Sequence, residues 1–441
     1  MSGALTGALT GAPARALRRH SDPATVLSVV VVVLLAVPSE LRVGALGAAG
    51  SPAVLAGLGC LLVWSARAAS GATAIPLRPR LAVLAFGLTV LLAWTAAQLR
   101  PLPPSEGNAA DLGVLRAAAF CGVLLLAAEV GRHRDRLLVL QRRLVLAGAA
   151  LALLGLVQFV TGAVLVDRVW IPGLVSAQEF SGVSERGGFV RPAGTAMSAL
   201  EYSFALAVVF PYALGLAVCD RHRALVRRVL PCLLVGLGLL TSVSRSGVVG
   251  IVLGALVLLP AWSPALRRRM LLLAPFLAVG FYLLVPGMSG TLRDLFTTAD
   301  QDPSALSRTG SYEVAAAFVE SSPVVGRGFG TFLPAYRILD NQYLLLAVEV
   351  GLLGLVAFVA LLGCCVVGAR GTLRTRTATG STDADAADAA ERDRQLRQAA
   401  LGTVLVGAAL AAVLDVFAFP MAAGSLALVC GLALAQGRSA P

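Results

Sequence analysis

The sequence predicts an all-α, polytopic integral membrane protein of about 12 transmembrane helices, with a large extracytoplasmic loop that carries short helices. Three observations predict it. Hydrophobic residues make up 57% of the 441 residues and charged residues only 14%, a balance that excludes an ordinary soluble domain. The apolar residues fall in runs near the 20-residue length of a membrane span, and the arginines fall in the short segments between those runs.

Taken in order, residues 1–23 form an arginine-bearing cytoplasmic tail, followed by an uncleaved first span. Spans are expected at 24–38, 51–66, 81–98, 112–130, 138–163, 197–218, 228–243, 246–263, 270–286, 340–368, 398–416 and 419–437. Nine of them fill 24–286, which includes an outer loop at about 164–196; the large outer loop covers 287–339. The last three lie in 340–437, around a polar cytoplasmic linker at about 369–396, and 438–441 is a cytoplasmic tail. With both termini inside, 25 of the 36 basic residues, all of them arginine, fall on the cytoplasmic side.

Orientation explains the net charge of +12 better than nucleic acid does, so no nucleic-acid partner is expected; membrane lipids are. The seven cysteines show no ligand spacing, and His20, His133 and His222 sit in arginine-rich cytoplasmic segments. Neither a metal site nor a cofactor is expected. Asp300 and Asp302 are the closest outer pair of acids, too sparse for a cation cage.

The polar residues that could carry chemistry gather at the outer face. Arg191-Pro192-Ala193-Gly194-Thr195 leads into Glu201, one turn inside a span. Thr241-Ser242-Val243-Ser244-Arg245 sits between two nearly abutting spans. Arg308 opens a loop helix expected over 307–320, which Pro323 ends; Gly326-Arg327-Gly328-Phe329-Gly330 follows as a flexible turn. Asp340-Asn341 then opens a span that carries Glu349 deeper in. An arginine or a carboxylate at that depth costs up to about 3 kcal/mol, so each needs compensation. Two readings are open for Arg191, Arg245 and Arg308. One is that they grip a shared anion, since a guanidinium fork matches phosphate oxygens; the other is that they reach headgroups or pair with Glu201, Glu313 and Glu349.

In these motifs the chain resembles the O-antigen ligase/O-antigen polymerase superfamily of bacterial membrane glycosyltransferases. The similar segments are Arg191 to Thr195, Thr241 to Arg245, Arg308 through Pro323 to Phe332, and Asp340-Asn341 with Glu349-Val350-Gly351 and Gly354. The resemblance implies a metal-independent enzyme of the bacterial cytoplasmic membrane, working at its outer face. Its donor would be an undecaprenyl-diphosphate-linked glycan and its acceptor a saccharide or lipid. It also implies catalytic roles for Asp340, Arg191, Arg245 and Arg308, with Asn341, Glu201, Glu349 and Arg327 binding substrate. Where ligases of this group often carry histidine, this chain has Asp340, which leaves polymerase and ligase chemistry both open. The rival from another class is a transporter or flippase of lipid-linked glycans, which would line a path through the whole bilayer; the outward clustering of Glu201, Asp340 and Glu349 favours the enzyme over it. A non-catalytic scaffold for envelope assembly is the third possibility.

Overall fold

The computed structural model describes residues 22–73, 75–176, 183–186, 188–284, 303–371 and 383–437, without the side chains of 183, 186, 277–278, 281–284, 303–311 and 383–387. The chain begins with α1 (Pro23–Ala36), β1 (Leu41–Val43), α2 (Pro52–Ala69), α3 (Leu77–Gln98), α4 (Pro104–Glu129) and α5 (Arg134–Thr161). Next come β2 (Leu174–Ser176), β3 (Val183–Arg186), β4 (Phe189–Pro192), α6 (Ala199–Cys219), α7 (Leu225–Thr241), α8 (Arg245–Leu258) and α9 (Pro264–Leu284). The described remainder is α10 (Pro303–Ser321), α11 (Gln342–Glu349), α12 (Gly351–Arg370), α13 (Asp383–Leu410) and α14 (Pro420–Gln436).

Among the described residues six helices, α2 to α6 and α12, are long and apolar enough to cross a membrane, with α4 extended by a short 3₁₀ turn to Arg132; shorter apolar helices lie at Pro23–Ala36, Arg245–Ala261 and Pro420–Gln436. Length and composition make this a multi-pass membrane protein. The helices sort by which faces are buried. Most of α6 and α14, and α4 from Ala119 to Glu129, are shielded by other helices, as befits segments that are apolar all round. By contrast α2, α3 and α12 leave Leu62, Leu84, Leu88 and Val356 exposed, the surface expected to meet lipid.

Close approach in the centre depends on small residues. A Cβ on Gly431 of α14 would come within 2.4 Å of the Leu124 carbonyl of α4, so only glycine lets these two backbones touch. Beside this contact, Phe86 of α3, Phe120 of α4, Phe358 of α12 and Phe417 form a ring cluster with centroids 5.1 to 6.4 Å apart.

Three features depart from the sequence expectation. Among the described residues four short strands break the all-α pattern: β1 pairs antiparallel with β2, and β3 with β4, folding the loop before α6 back over the end of α1. Residues 383–396, expected as linker, are helical as the first part of α13, where the charges pair along the helix: Arg394 with Glu391 at 2.6 Å and Arg397 with Asp393 at 2.7 Å.

The span expected at 340–368 is two helices, broken at Val350. Gly351 adopts φ +70°, and a Cβ there would lie 2.2 Å from the Val324 carbonyl. The break does not orphan the backbone. Amides of Arg327 and Gly328 donate to the carbonyls of Val348 and Glu349, and amides of Leu352 and Leu353 donate to Pro323 and Val324. The glycine turn expected to be flexible is therefore a wedge hydrogen-bonded into a broken helix, the arrangement that makes irregular backbone tolerable at membrane depth.

Candidate active site

The polar groups of interest gather where α4, α6, α11 and α14 begin. At the opposite ends of the bundle lie other pairings, such as Arg142 with Asp220 at 2.6 Å and Gln141 with Gln436 at 2.8 Å.

One cavity of about 420 Å³ opens between α4, α11 and the segments that precede α11 and α14. Ala109, Leu112, Gly113 and Arg116 give it one face of α4, at the spacing that places side chains in a single helical stripe. The segment from Phe329 to Asp340 makes a second wall, Leu345 and Glu349 of α11 a third, and Asp415 to Phe419 a fourth. Charged side chains in the lining are Arg116, Arg337, Asp340, Glu349 and Asp415, set among Phe329, Phe332 and Phe417.

Glu349 is almost fully buried, and its carboxylate accepts from the Phe332 amide at 3.1 Å and from Gly330. It thus holds the wedge against the helix break. Arg116 donates to the Phe417 carbonyl at 3.4 Å and has Asp415 and Glu349 as its acidic neighbours, with Arg42 of β1 also within electrostatic reach. Asp340 and Asp415 are electrostatic neighbours as well. Opposed charges among aromatic rings suit a hydroxyl-rich ring ligand, which needs both hydrogen-bonding groups and apolar faces to stack on.

A second polar cluster forms where β4 meets the turn between α7 and α8. Arg191 Nε donates to the Ser242 carbonyl at 3.4 Å, bringing the first two arginine motifs together, and Arg245 starts α8. The hydroxyls of Ser244 and Ser246 lie 2.6 Å apart, with Ser203 of α6 3.3 Å from Ser246. Val243 holds φ +48°, a conformation that a β-branched residue adopts only under constraint; its side chain is buried against Phe159, Phe189 and Leu240.

Other residues expected at the site have internal partners. Glu201 is 0% exposed, and its two oxygens accept from the amides of Met197 and Met421, each at 2.7 Å. Asn341 caps α11, its side-chain oxygen accepting from Tyr343 and Leu344 at 3.0 and 3.2 Å. Arg327 pairs with Glu106 at 2.9 Å and lies outside the cavity lining. Each of these three, expected as a substrate contact, has a backbone or ionic partner within the protein, as buried polar atoms generally do. Arg308 lies on α10, and its side chain is outside the described residues, as are Asp300 and Asp302.

Sequence reasoning passed over Arg116, Arg337, Asp415 and Glu106. Arg116 and Asp415 had a usable signal, an ionisable residue inside an apolar stretch. Arg337 had none.

Fold and site together define a helical, multi-pass membrane protein with a carboxylate- and arginine-lined cavity at one end of its bundle. Residues 230–359 match the family model described as O-Antigen ligase, and over this segment the match supports a likeness to the O-antigen ligase/polymerase superfamily. The matched residues run from α7 into α12 and contain Arg245, Arg308, Arg327, Asp340, Asn341 and Glu349. No curated protein matches the chain.

Proposed function

We propose that the protein is a membrane glycosyltransferase of O-antigen ligase type. It moves a glycan from an undecaprenyl-diphosphate carrier to a saccharide or lipid acceptor at the outer face of the cytoplasmic membrane. The observation that carries this reading is the cavity that joins Arg337, Asp340 and Glu349, all within the matched family segment, to Arg116 and Asp415 from outside it.

In this reaction an acceptor hydroxyl oxygen bonds to the anomeric carbon of the donor glycan as the bond from that carbon to the diphosphate oxygen breaks. The acceptor proton passes to the Asp340 carboxylate, and undecaprenyl diphosphate leaves with the electron pair. Arg191, Arg245 and Arg308 meet the charge that grows on the diphosphate, supplying the fixed positive charge such a departure needs. Glu349 keeps the cavity wall in register with Asp340, and Asn341 fixes the start of the helix beside it.

The test is turnover of a lipid-diphosphate glycan donor by purified protein in excess chelator. Product formation at the rate seen without chelator supports the arginine-based reaction. Loss of turnover that Mg²⁺ or Mn²⁺ restores removes the metal-independent form of the proposal, and absence of any turnover with donor and acceptor together removes the reaction itself.

A further inference from the structure

The cavity wall from Phe329 to Asp340 has no regular secondary structure of its own apart from turns, so its shape must come from what anchors it. Besides Glu349, which accepts from Phe332, the wall has an anchor in Glu106, in the first turn of α4 and 2% exposed. Its carboxylate receives Arg327 Nη2 at 2.9 and 3.0 Å, Arg100 Nη2 at 2.9 Å and the hydroxyl of Tyr336. Arg100 also donates to the Arg327 carbonyl at 3.0 Å, closing the cluster through the backbone.

The Arg327 guanidinium is held on its faces too. Its central carbon lies 4.7 Å from the Phe318 ring centre and 5.0 Å from that of Tyr336, so a ring of α10 and a ring of the wall both contact it. Phe332 meets Phe318 edge-on at 5.0 Å. Arg327 and Tyr336 thus stand at two points along the segment, one before the wall begins and one within it, and both end on the same carboxylate. None of Glu106, Arg100, Arg327 or Tyr336 lines the cavity.

From this geometry we infer that Glu106 is a positioning residue for the proposed transfer: through Arg327 and Tyr336 it sets the wall that carries Arg337 and Asp340. The inference rests on the proposed function for what is positioned, and on the structure for how. It also gives Arg327 a role: the residue acts on the wall through Glu106. A misplacement of about 1 Å in a group that acts on the reacting atoms costs about 100-fold in rate, and a wall without helix or strand relies on side-chain anchors such as Glu106, and Glu349 at Phe332, to resist such a shift.

Three full-length variants in detergent or liposomes test it: Glu106→Gln, Arg327→Lys and Tyr336→Phe. Glu106→Gln loses the charge, Arg327→Lys keeps charge but loses the fork and the stacking, and Tyr336→Phe keeps the ring and loses one hydrogen bond. The expected result is a fall of about 10-fold to 100-fold in kcat per folded molecule with donor KM within about twofold of wild type, smallest for Tyr336→Phe. Hydrogen exchange should rise over 326–340 and not over α4. A rise in donor KM at unchanged kcat would make these groups substrate contacts and overturn the inference. So would wild-type kcat in all three, or a loss that follows the amount of folded protein. If the wild-type chain turns over no lipid-diphosphate donor, the proposed reaction fails, and exchange over 326–340 decides the anchor alone: unchanged exchange in Glu106→Gln overturns it.

Discussion

The carboxylate of Glu201 accepts a hydrogen bond from the backbone amide of Met421, 220 positions later in the chain, at 2.7 Å. Its other oxygen accepts from Met197, and the Glu201 amide donates to Ser198, so one acid closes the start of α6 on itself and ties it to the start of α14. Carboxylates are favoured at helix beginnings, where amides lack intrahelical acceptors and the helix dipole is positive. Two helix starts share this one.

The first prediction follows from that sharing. Glu201→Gln replaces one of the two acceptor oxygens with a donor that faces a backbone amide, leaving a buried group unsatisfied at a cost of about 1 to 3 kcal/mol. The thermal midpoint in detergent should fall while kcat per folded molecule is kept. A variant with a wild-type midpoint and no turnover would return Glu201 to the reacting groups.

Sidedness is the second. The arginine distribution, with 25 of 36 expected in cytoplasmic tails and segments, predicts that alkaline-phosphatase fusions after residues 180 and 300 are active and those after 225 and 385 inactive. The reverse pattern would put the cavity in the cytoplasm, where the proposed donor glycan is not presented.

Asp340 carries the third. Asp340→Asn keeps the shape of the cavity and removes the proton acceptor, so turnover should collapse while donor binding persists. Asp340→His should recover part of the rate. Normal turnover in Asp340→Asn, with Asp415→Asn inactive, would move the base to the loop before α14.

The arginines provide the fourth. Each phosphate contact through a guanidinium fork contributes about 1.5 to 3 kcal/mol, and lysine keeps the charge without the fork. Arg245→Lys and Arg308→Lys should lower kcat/KM at normal protein levels. Lysine variants equal to wild type, beside alanine variants that fail to accumulate, would make these arginines membrane anchors.

How much of this was legible in the sequence varies from residue to residue. Apolar runs located the helices to within a few residues in most cases, because a span must be long and apolar whatever it packs against. Asp340 and Glu349 stood out because a carboxylate in an apolar run is costly, and both line the cavity. The same rule applied to Arg116 and Asp415 would have found two more.

What the sequence determined by itself was the class of the protein, the places of most of its apolar helices and the acids that needed an explanation, since these depend on local composition and its cost in lipid. Only the tertiary structure decided which polar groups answer to one another. Arg327 and Glu106 are 221 positions apart, as are the two halves of the shared helix cap to within one position, and nothing local marks such partners. The break at Val350 was hidden for the same reason: Gly351 in an apolar run reads as helix until the wedge from Pro323 to Gly328 supplies the hydrogen bonds that let the helix stop there.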